Sequence, residues 1–296
     1  MKNLRESLLD DIDKVSDSID PRDLMIKEWM EEHLRIGKYK INEDGTVNLI
    51  SNPHYNICSI RFDEEELPDY IVINECRKLR VIAKNLSSFK GFPREMGGLI
   101  LNGGSLVGEP NKKLKTLKDM PQVTSELDLS GLEALTSLEG CPEKLTGDFK
   151  CMGCKSLTSL KGAPTSLSAS STFNCAKCPN LKELDIEFKS PIWSFSCSMC
   201  KNLEKLNIAI GCEEFSAKGC NKLKNLEGFN PCYHRGGWYK AVKKVYLDNC
   251  KNLESIADFD MSGLRLDDPK YSRPKYYVKG CTKLKDIPEG FEIIYK

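Results

Sequence analysis

Three pairs of cysteines, each pair separated by two residues, have the most evident potential for chemistry in this sequence. The pairs are Cys151 with Cys154, Cys175 with Cys178, and Cys197 with Cys200. Two such pairs about twenty residues apart are typical of a structural zinc site, because four thiolates surround Zn²⁺ tetrahedrally. A single pair can also cycle between dithiol and disulfide. The spacing therefore raises the hypothesis of a metal- or redox-responsive protein.

The same cysteines also occupy equivalent positions of a repeated sequence motif, which offers a second explanation for their spacing. We number the positions of each copy as columns. Columns four and six hold apolar residues, column nine holds a small residue or cysteine, and columns twelve and fifteen hold aliphatic residues, as in Phe149, Cys151, Cys154, Leu157 and Leu160. The nine copies have their column four at Ile71, Leu99, Leu127, Phe149, Phe173, Phe195, Phe215, Val245 and Tyr276.

Other copies carry aliphatic residues in the cysteine columns, as Leu129 and Leu132 do. Buried packing permits this exchange, whereas metal coordination forbids it. We therefore interpret the thiols as reduced core residues, and we predict that the protein has no metal and no cofactor.

The repeat itself indicates the elements that must position these residues. Alternating apolar residues at columns four and six predict a short strand with one buried face, and copies that recur every 20 to 30 residues or so predict a solenoid. Glycine and proline after column fifteen, as at Gly162 and Pro164, favour turns on the returning side. The predicted fold class is an α/β-type solenoid with a parallel β ladder, about nine repeats, and few regular helices outside an N-terminal cap.

The run from Gly147 through Phe149 and Cys151 to Leu160 and Pro164 resembles the cysteine-bearing leucine-rich repeats. It is most similar to uncharacterised repeat proteins of tailed bacteriophages and bacteria, over about residues 70 to 290. The resemblance implies a leucine-rich-repeat coil and implies no particular activity. It also implies a cytoplasmic location in a bacterial cell or phage-infected host, and a phage-associated structural role is one alternative function.

Residues 1–69 are predicted to form a helical and hairpin cap, and residues 70–296 the solenoid, with insertions near 105–113, 229–242 and 257–275. The cap would contain an amphipathic helix over residues 4–19. A second helix would begin at Asp20 and Pro21 and end at Gly37, with Leu24 in its apolar stripe. A hairpin would turn at Asp44 and Gly45. Such a cap would cover the first coil, because terminal repeats otherwise expose their core.

Composition excludes several classes of function. The chain has 296 residues, a net charge of +1 and 14 cysteines, and its first fifteen residues are charged throughout. We therefore expect no membrane association and a monomeric cytoplasmic protein for which nucleic acid is not the partner. The three histidines, His33, His54 and His234, are scattered, so we predict that the protein is not an enzyme.

The remaining candidate for function is the outward face of the strands, formed by columns three, five and seven and predicted to be concave. It is acidic around Glu126, Asp128 and Asp148 and rich in lysine and tyrosine towards the C-terminus. This combination is suited to an acidic protein partner. We predict a non-catalytic protein-interaction module whose partner-binding residues are Lys218, Lys244, Tyr246, Lys275, Tyr277 and Lys279.

Overall fold

The computed structural model describes residues 20–101, 110–235, 238–257, 274–289 and 291–295. Over these ranges the chain contains one α-helix, α1 (Pro21–His33), and 22 strands. That helix is too short and too polar to cross a membrane. The strands are β1 (Leu34–Ile36), β2 (Lys38–Ile41), β3 (Val47–Ile50), β4 (Cys58–Arg61), β5 (Ile73–Cys76), β6 (Lys78–Ile82), β7 (Glu95–Leu101), β8 (Gln122–Asp128), β9 (Lys144–Leu145), β10 (Phe149–Lys150), β11 (Ser166–Leu167), β12 (Thr172–Asn174), β13 (Ile186–Glu187), β14 (Ser194–Ser196), β15 (Ile208–Ala209), β16 (Glu214–Ser216), β17 (Phe229–Asn230), β18 (Cys232–Arg235), β19 (Trp238–Ala241), β20 (Lys244–Tyr246), β21 (Lys275–Tyr277) and β22 (Glu292–Ile294).

Twelve of these strands form one long ladder in the order β1-β4-β6-β7-β8-β10-β12-β14-β16-β20-β21-β22. Only the β1–β4 pair within this ladder is antiparallel, and the other neighbours pair in parallel. Phe149, Phe173, Phe195 and Phe215 stand directly opposite one another. The predicted parallel ladder with few helices is therefore confirmed.

The column-four phenylalanines form the centre of the core. Their ring centroids lie 4.9 Å, 5.1 Å and 5.7 Å apart along the stack from Phe149 to Phe215. All four rings are at most 1% exposed. Each coil thus covers the ring of its neighbour, which makes the stacking of repeats a condition for burial.

The first predicted copy lies in a different register from the one expected. Ile73 belongs to β5, which pairs with β3 of the hairpin, so Ile71 and Ile73 are not ladder positions. Leu79 of β6 stands opposite Leu99 and therefore occupies column four. Burial does not distinguish the alternatives, because Ile71, Ile73 and Leu79 are all core residues. The ladder also contains β4 before the nine predicted copies and β22 after them.

The N-terminal helix begins as predicted and ends earlier. The Asp20 side chain accepts a hydrogen bond of 2.8 Å from the Arg22 backbone N–H, which caps α1. The helix ends at His33 because the following residues form β1 on the edge of β4. Leu24 is 38% exposed and is not part of the buried stripe, which consists of Ile26, Trp29 and Met30.

The predicted hairpin is present as β2 and β3, joined by the turn at Gly45. The expected insertion at 229–242 contains β17 and a second hairpin, β18 and β19. The predicted helix over residues 4–19, and most of the insertions near 105–113 and 257–275, lie outside the described residues. The role of residues 1–69 as a cap stays a prediction.

Column eight of the repeat has a left-handed backbone in coil after coil. Its φ angle is positive at Gly131, Gly153, Lys177, Met199, Gly219, Asn249 and Gly280. Glycine adopts this conformation without steric cost, whereas a residue with Cβ is strained by about 1–2 kcal/mol. The chain must turn here directly after the strand, and Lys177 and Met199 accept the strain that this turn imposes.

Replacing Gly153 with alanine is expected to lower the free energy of unfolding by about 1 kcal/mol. No atom lies within 4 Å of a Cβ added there, so the effect would come from the backbone alone. Gly153→Asn is the matched control, because asparagine tolerates this conformation and already occupies the column at Asn249. Chemical denaturation measures both variants. An alanine variant as stable as the asparagine variant would contradict this account.

Candidate functional site

The column-nine cysteines link each coil to the one before it through their thiols. Cys178 donates its S–H to the backbone oxygen of Cys151 at 3.2 Å, and Cys200 to that of Cys175 at 3.3 Å. Cys220 continues the series on Cys197 at 3.3 Å. Each of these carbonyls lies where the chain turns after the strand, and that of Cys197 also accepts the Cys200 N–H at 3.3 Å. The thiols therefore have a structural task that depends on their protonated form.

Burial raises the pKa values of the Cys154, Cys175 and Cys197 thiols well above that of an ordinary cysteine. For Cys151, the adjacent Cys178 thiol lowers the pKa, but burial and the other neighbouring thiols outweigh this effect and bring the pKa to about 12. Neutral thiols are weak metal ligands and weak nucleophiles.

All 14 cysteines are free. Within the described ranges, no three His, Cys, Asp or Glu side chains are placed to hold a metal together. The thiols of successive coils are neighbours, but among the described residues the three C-x-x-C pairs do not converge on one metal position. This arrangement gives the metal- or redox-responsive alternative no support.

The predicted C-terminal residues converge on one part of the ladder face, which we define as the outward positions of columns three, five and seven. Lys244 stands opposite Lys275, and Tyr246 opposite Tyr277. The tyrosine rings stack with centroids 4.6 Å apart and planes 24° apart. Lys218 places its Nζ 4.6 Å from the centroid of the Tyr246 ring. We call Lys218, Lys244, Tyr246, Lys275, Tyr277 and Lys279 the Lys/Tyr patch.

Acidic side chains accompany the lysines of this patch. Lys218 Nζ lies 2.9 Å from Asp248, Lys244 Nζ lies 2.9 Å from Glu214, and Lys275 Nζ lies 2.7 Å from Glu292. These partners raise the pKa of Lys244 and Lys275 through a hydrogen bond and charge attraction.

Lys279 is exposed, and its backbone N–H donates to Asp248 at 3.1 Å. Four lysines thus meet three carboxylates, so the surface around the aromatic pair keeps a small positive charge. The sequence predicted a region rich in lysine and tyrosine, and the structure adds that Glu214, Asp248 and Glu292 pair with three of its lysines.

The predicted acidic segment also contains paired lysines. Glu126 pairs with Lys78, whose side chain crosses over Gly98, and it lies 3.6 Å from Lys150. Lys150 also lies 3.2 Å from Asp148. These side chains are between 23% and 34% exposed, so they form a half-buried network on the face. Its net charge is close to zero.

Between these two charged regions the face carries hydroxyl groups. The Ser194 hydroxyl donates to that of Thr172 at 3.3 Å, and the hydroxyls of Ser198 and Ser216 lie 2.8 Å apart. These side chains are half-buried and bond to one another across strands. The middle of the face is thus polar and nearly neutral, and it separates the two ends.

No family model matches the chain, and no curated protein is similar to it in sequence. Among solved structures, it is similar to a leucine-rich repeat protein from Bacteroides ovatus. The two chains are 14% identical over 88% of this chain and 89% of the other, with a TM-score of 0.21. A TM-score this low does not establish a common fold. The parallel ladder follows from the strand pairing alone.

Sequence reasoning missed Arg80, which occupies column five of β6 on the ladder face. The assumed register placed Val72 in this column. Arg80 is half-buried, its Nε is buried, and no described residue accepts a hydrogen bond from that atom. The spacing could have revealed it, since Leu79 precedes Leu99 by 20 residues, the same advance as from Phe195 to Phe215.

Proposed function

We propose that this chain is a non-catalytic protein-interaction module, and that a protein partner binds the ladder face with the Lys/Tyr patch as its main anchor. The observation that carries the proposal is the stacked pair of Tyr246 and Tyr277 with Lys218 above it. A rigid parallel ladder holds these rings, so little conformational entropy would be lost when a partner contacts them.

The chemistry of the patch agrees with that of energetically important interface residues. Tyrosines combine apolar area with a polar tip, and they are enriched where alanine substitution costs the most binding energy. Both rings are half-buried, which leaves part of each available for contact. The surrounding ion pairs are exposed enough to form a polar rim, where charge influences association more than affinity. An acidic segment of the partner would compete with Glu214 and Asp248 for the lysines.

Replacing Tyr246 with alanine is expected to speed dissociation of the partner by an amount corresponding to about 1–3 kcal/mol. The partner would first be captured from the native cell and identified by mass spectrometry, and its binding would then be measured with purified proteins by surface plasmon resonance. The association rate should change much less than the dissociation rate, because the substitution removes contact area and no charge.

Ser196→Ala is the matched control, since Ser196 occupies the same column two strands away from Tyr246. Both substitutions lie outside the core, so neither should lower the melting temperature by more than a few degrees. Equal binding by the wild type and by Tyr246→Ala would show that the patch is an ordinary solvated surface.

A further inference from the structure

The hydroxyl groups of Tyr246 and Tyr277 differ from the hydroxyls in the middle of the ladder face. There, side chains bond to one another across strands, as Ser198 and Ser216 do at 2.8 Å. No described residue forms a hydrogen bond with either tyrosine hydroxyl. Both tyrosines are half-buried, and their oxygens remain accessible to solvent. In the free protein these two hydroxyls therefore bond to water, and a ligand can reach them.

The strand pairing places the two hydroxyls side by side. Tyr246 and Tyr277 stand opposite each other on the parallel strands β20 and β21, so both rings leave the sheet in the same direction. Their centroids lie 4.6 Å apart and their planes differ by 24°, which places both hydroxyls at the outer end of one stack. Two donors reach a common acceptor when they are separated by less than about 5.4 Å, twice the usual O–H···O length of about 2.7 Å. The stack thus presents two donors that one acidic group can bridge.

The two faces of the Tyr246 ring are already in contact with other groups. Its strand β20 lies between β16 and β21. Lys218, which follows β16, places its Nζ 4.6 Å from the ring centroid, and the Tyr277 ring covers the side towards β21. A partner therefore reaches Tyr246 at its outer edge and its hydroxyl. This arrangement favours a polar group of the partner over an aromatic ring that would stack on Tyr246.

The charge around the two hydroxyls favours an anion. Lys279 follows Tyr277 by two residues on the ladder face, is exposed, and has no acidic side chain as a partner within the described part of the chain. The pKa of Lys244 is raised first by Glu214 and then by the phenol groups of Tyr246 and Tyr277, so its ammonium also lies near both tyrosines. Burial raises the pKa of Tyr246, which keeps its phenol protonated and able to donate at neutral pH.

We propose that the hydroxyls of Tyr246 and Tyr277, with Lys279 beside them, are a recognition site for a carboxylate of the protein partner. This inference rests on the proposed function and names the chemical group that the Lys/Tyr patch binds. The carboxylate would accept one hydrogen bond from each phenol in place of water, and Lys279 would balance its charge. Hydrogen bonds from a hydroxyl to an ionised carboxylate are shorter and stronger than those between neutral groups.

The test observes the two phenols directly in the full chain. Protein labelled with ¹³C at the tyrosine ζ carbon, which carries the hydroxyl, would be titrated with sodium acetate and followed by NMR. The variants Tyr246→Phe and Tyr277→Phe assign the two resonances and keep both rings in the stack. Parallel titrations with sodium chloride at equal ionic strength and with sodium phosphate distinguish a carboxylate from general screening and from a phosphate group. The internal control is Tyr55, which is 70% exposed in the turn at residues 53–56.

Acetate should shift the Tyr246 and Tyr277 resonances saturably and with one affinity, whereas Tyr55 should respond to acetate as it does to chloride. Tyr246→Phe should lower the affinity reported by Tyr277 about tenfold, because one charge-assisted hydrogen bond is lost, and Tyr55→Phe should leave it unchanged. A linear response equal to that with chloride would overturn the proposal, and so would an unchanged affinity at Tyr277 in the Tyr246→Phe variant. Saturation by phosphate at about tenfold lower concentration than acetate would overturn the assignment to a carboxylate and indicate a phosphorylated partner.

Binding of the captured partner separates this inference from the proposed function. The double variant Tyr246→Phe, Tyr277→Phe removes both hydroxyls and retains both rings, and it should speed dissociation of the partner at least about tenfold. If Tyr246→Ala weakens binding while the double variant binds like the wild type, the rings contact the partner without a carboxylate. That result would overturn this inference and leave the proposed function intact. Equal binding by all three proteins would overturn both.

Discussion

Replacing Cys175 with aspartate is expected to unfold the coils around it, whereas replacing it with valine should cost less than about 1.5 kcal/mol. The Cys175 side chain is fully buried, and its S–H donates only to the backbone oxygen of Ser196, at 3.4 Å. Burial already raises the pKa of this thiol well above its ordinary value, so the site disfavours negative charge. A carboxylate there would be a buried charge without a cation, and unfolding would relieve it. Valine keeps nearly the same volume.

Asn174→Asp is the matched control, since it adds the same charge one residue away on the ladder face. Its side-chain oxygen can still accept the Ala176 N–H, as Asn174 does at 3.0 Å. Circular dichroism and chemical denaturation should show a folded control and an unfolded Cys175→Asp variant. A stable Cys175→Asp protein would contradict the core assignment. So would stoichiometric zinc in protein purified under reducing conditions, if that zinc were lost on unfolding.

Deleting residues 1–50 is expected to cause aggregation, or rapid hydrogen exchange in β4, β6 and β7. The deletion removes α1, whose Ile26 and Met30 are fully buried, and it removes β1 from the edge of β4. It also removes β3, the partner of β5. The uncovered edge and core would then face water, and an exposed strand edge pairs readily with other chains. Hydrogen exchange monitored by mass spectrometry localises the effect.

The control for this deletion is Leu24→Ala in the full chain, because Leu24 lies on the same helix and is partly exposed. It should leave exchange in the first coils unchanged, since the helix remains docked. If the truncated protein were as soluble and as protected as the intact one, residues 1–50 would not be a cap.

The sequence predicted the ladder well wherever the repeat is regular. From Leu99 to Tyr276, each predicted column-four residue lies in the ladder in the expected register. Apolar alternation determines which face is buried, and a slip of one residue would turn the core outward. This constraint is strong enough to be read from one chain.

Prediction failed where two apolar pairs compete for the same place in the ladder. Ile71 and Ile73 fit the pattern as well as Leu79 and Val81 do, and all four are buried. The hairpin decides between them, because β3 pairs with β5 and leaves β6 for the ladder. This contact joins segments that are far apart in sequence, so a local pattern cannot reveal it. The choice determines whether Val72 or Arg80 lies on the face.

The sequence analysis did not predict the ion pairs of the face, although Glu214 and Lys244 both occupy column three of neighbouring copies. Lys244 and Glu214 meet because their strands are neighbours in register, although 30 residues separate them. The Lys78–Glu126 pair requires in addition a glycine between the two side chains, at Gly98. Residue types alone indicated charged regions on the ladder face. The net charge of each region depends on which acidic and basic side chains stand opposite each other on neighbouring strands.

The direction of the backbone hydrogen bonds in the ladder has a mechanical consequence. Cys151 donates to Asn174 O, Cys175 to Ser196 O, and Cys197 to Ser216 O, so these bonds link successive coils and point along the stack. Tension between the two ends of the molecule would load the coil-to-coil contacts in series, and the weakest contact would yield first while the others stayed intact. Releasing the 22 residues from Phe173 to Phe195 would lengthen the molecule by about 70 Å, because about 75 Å of extended chain replaces the spacing of about 5 Å between neighbouring strands. A ladder built in this way extends in steps under load, and each step limits the force transmitted to whatever is attached at its ends.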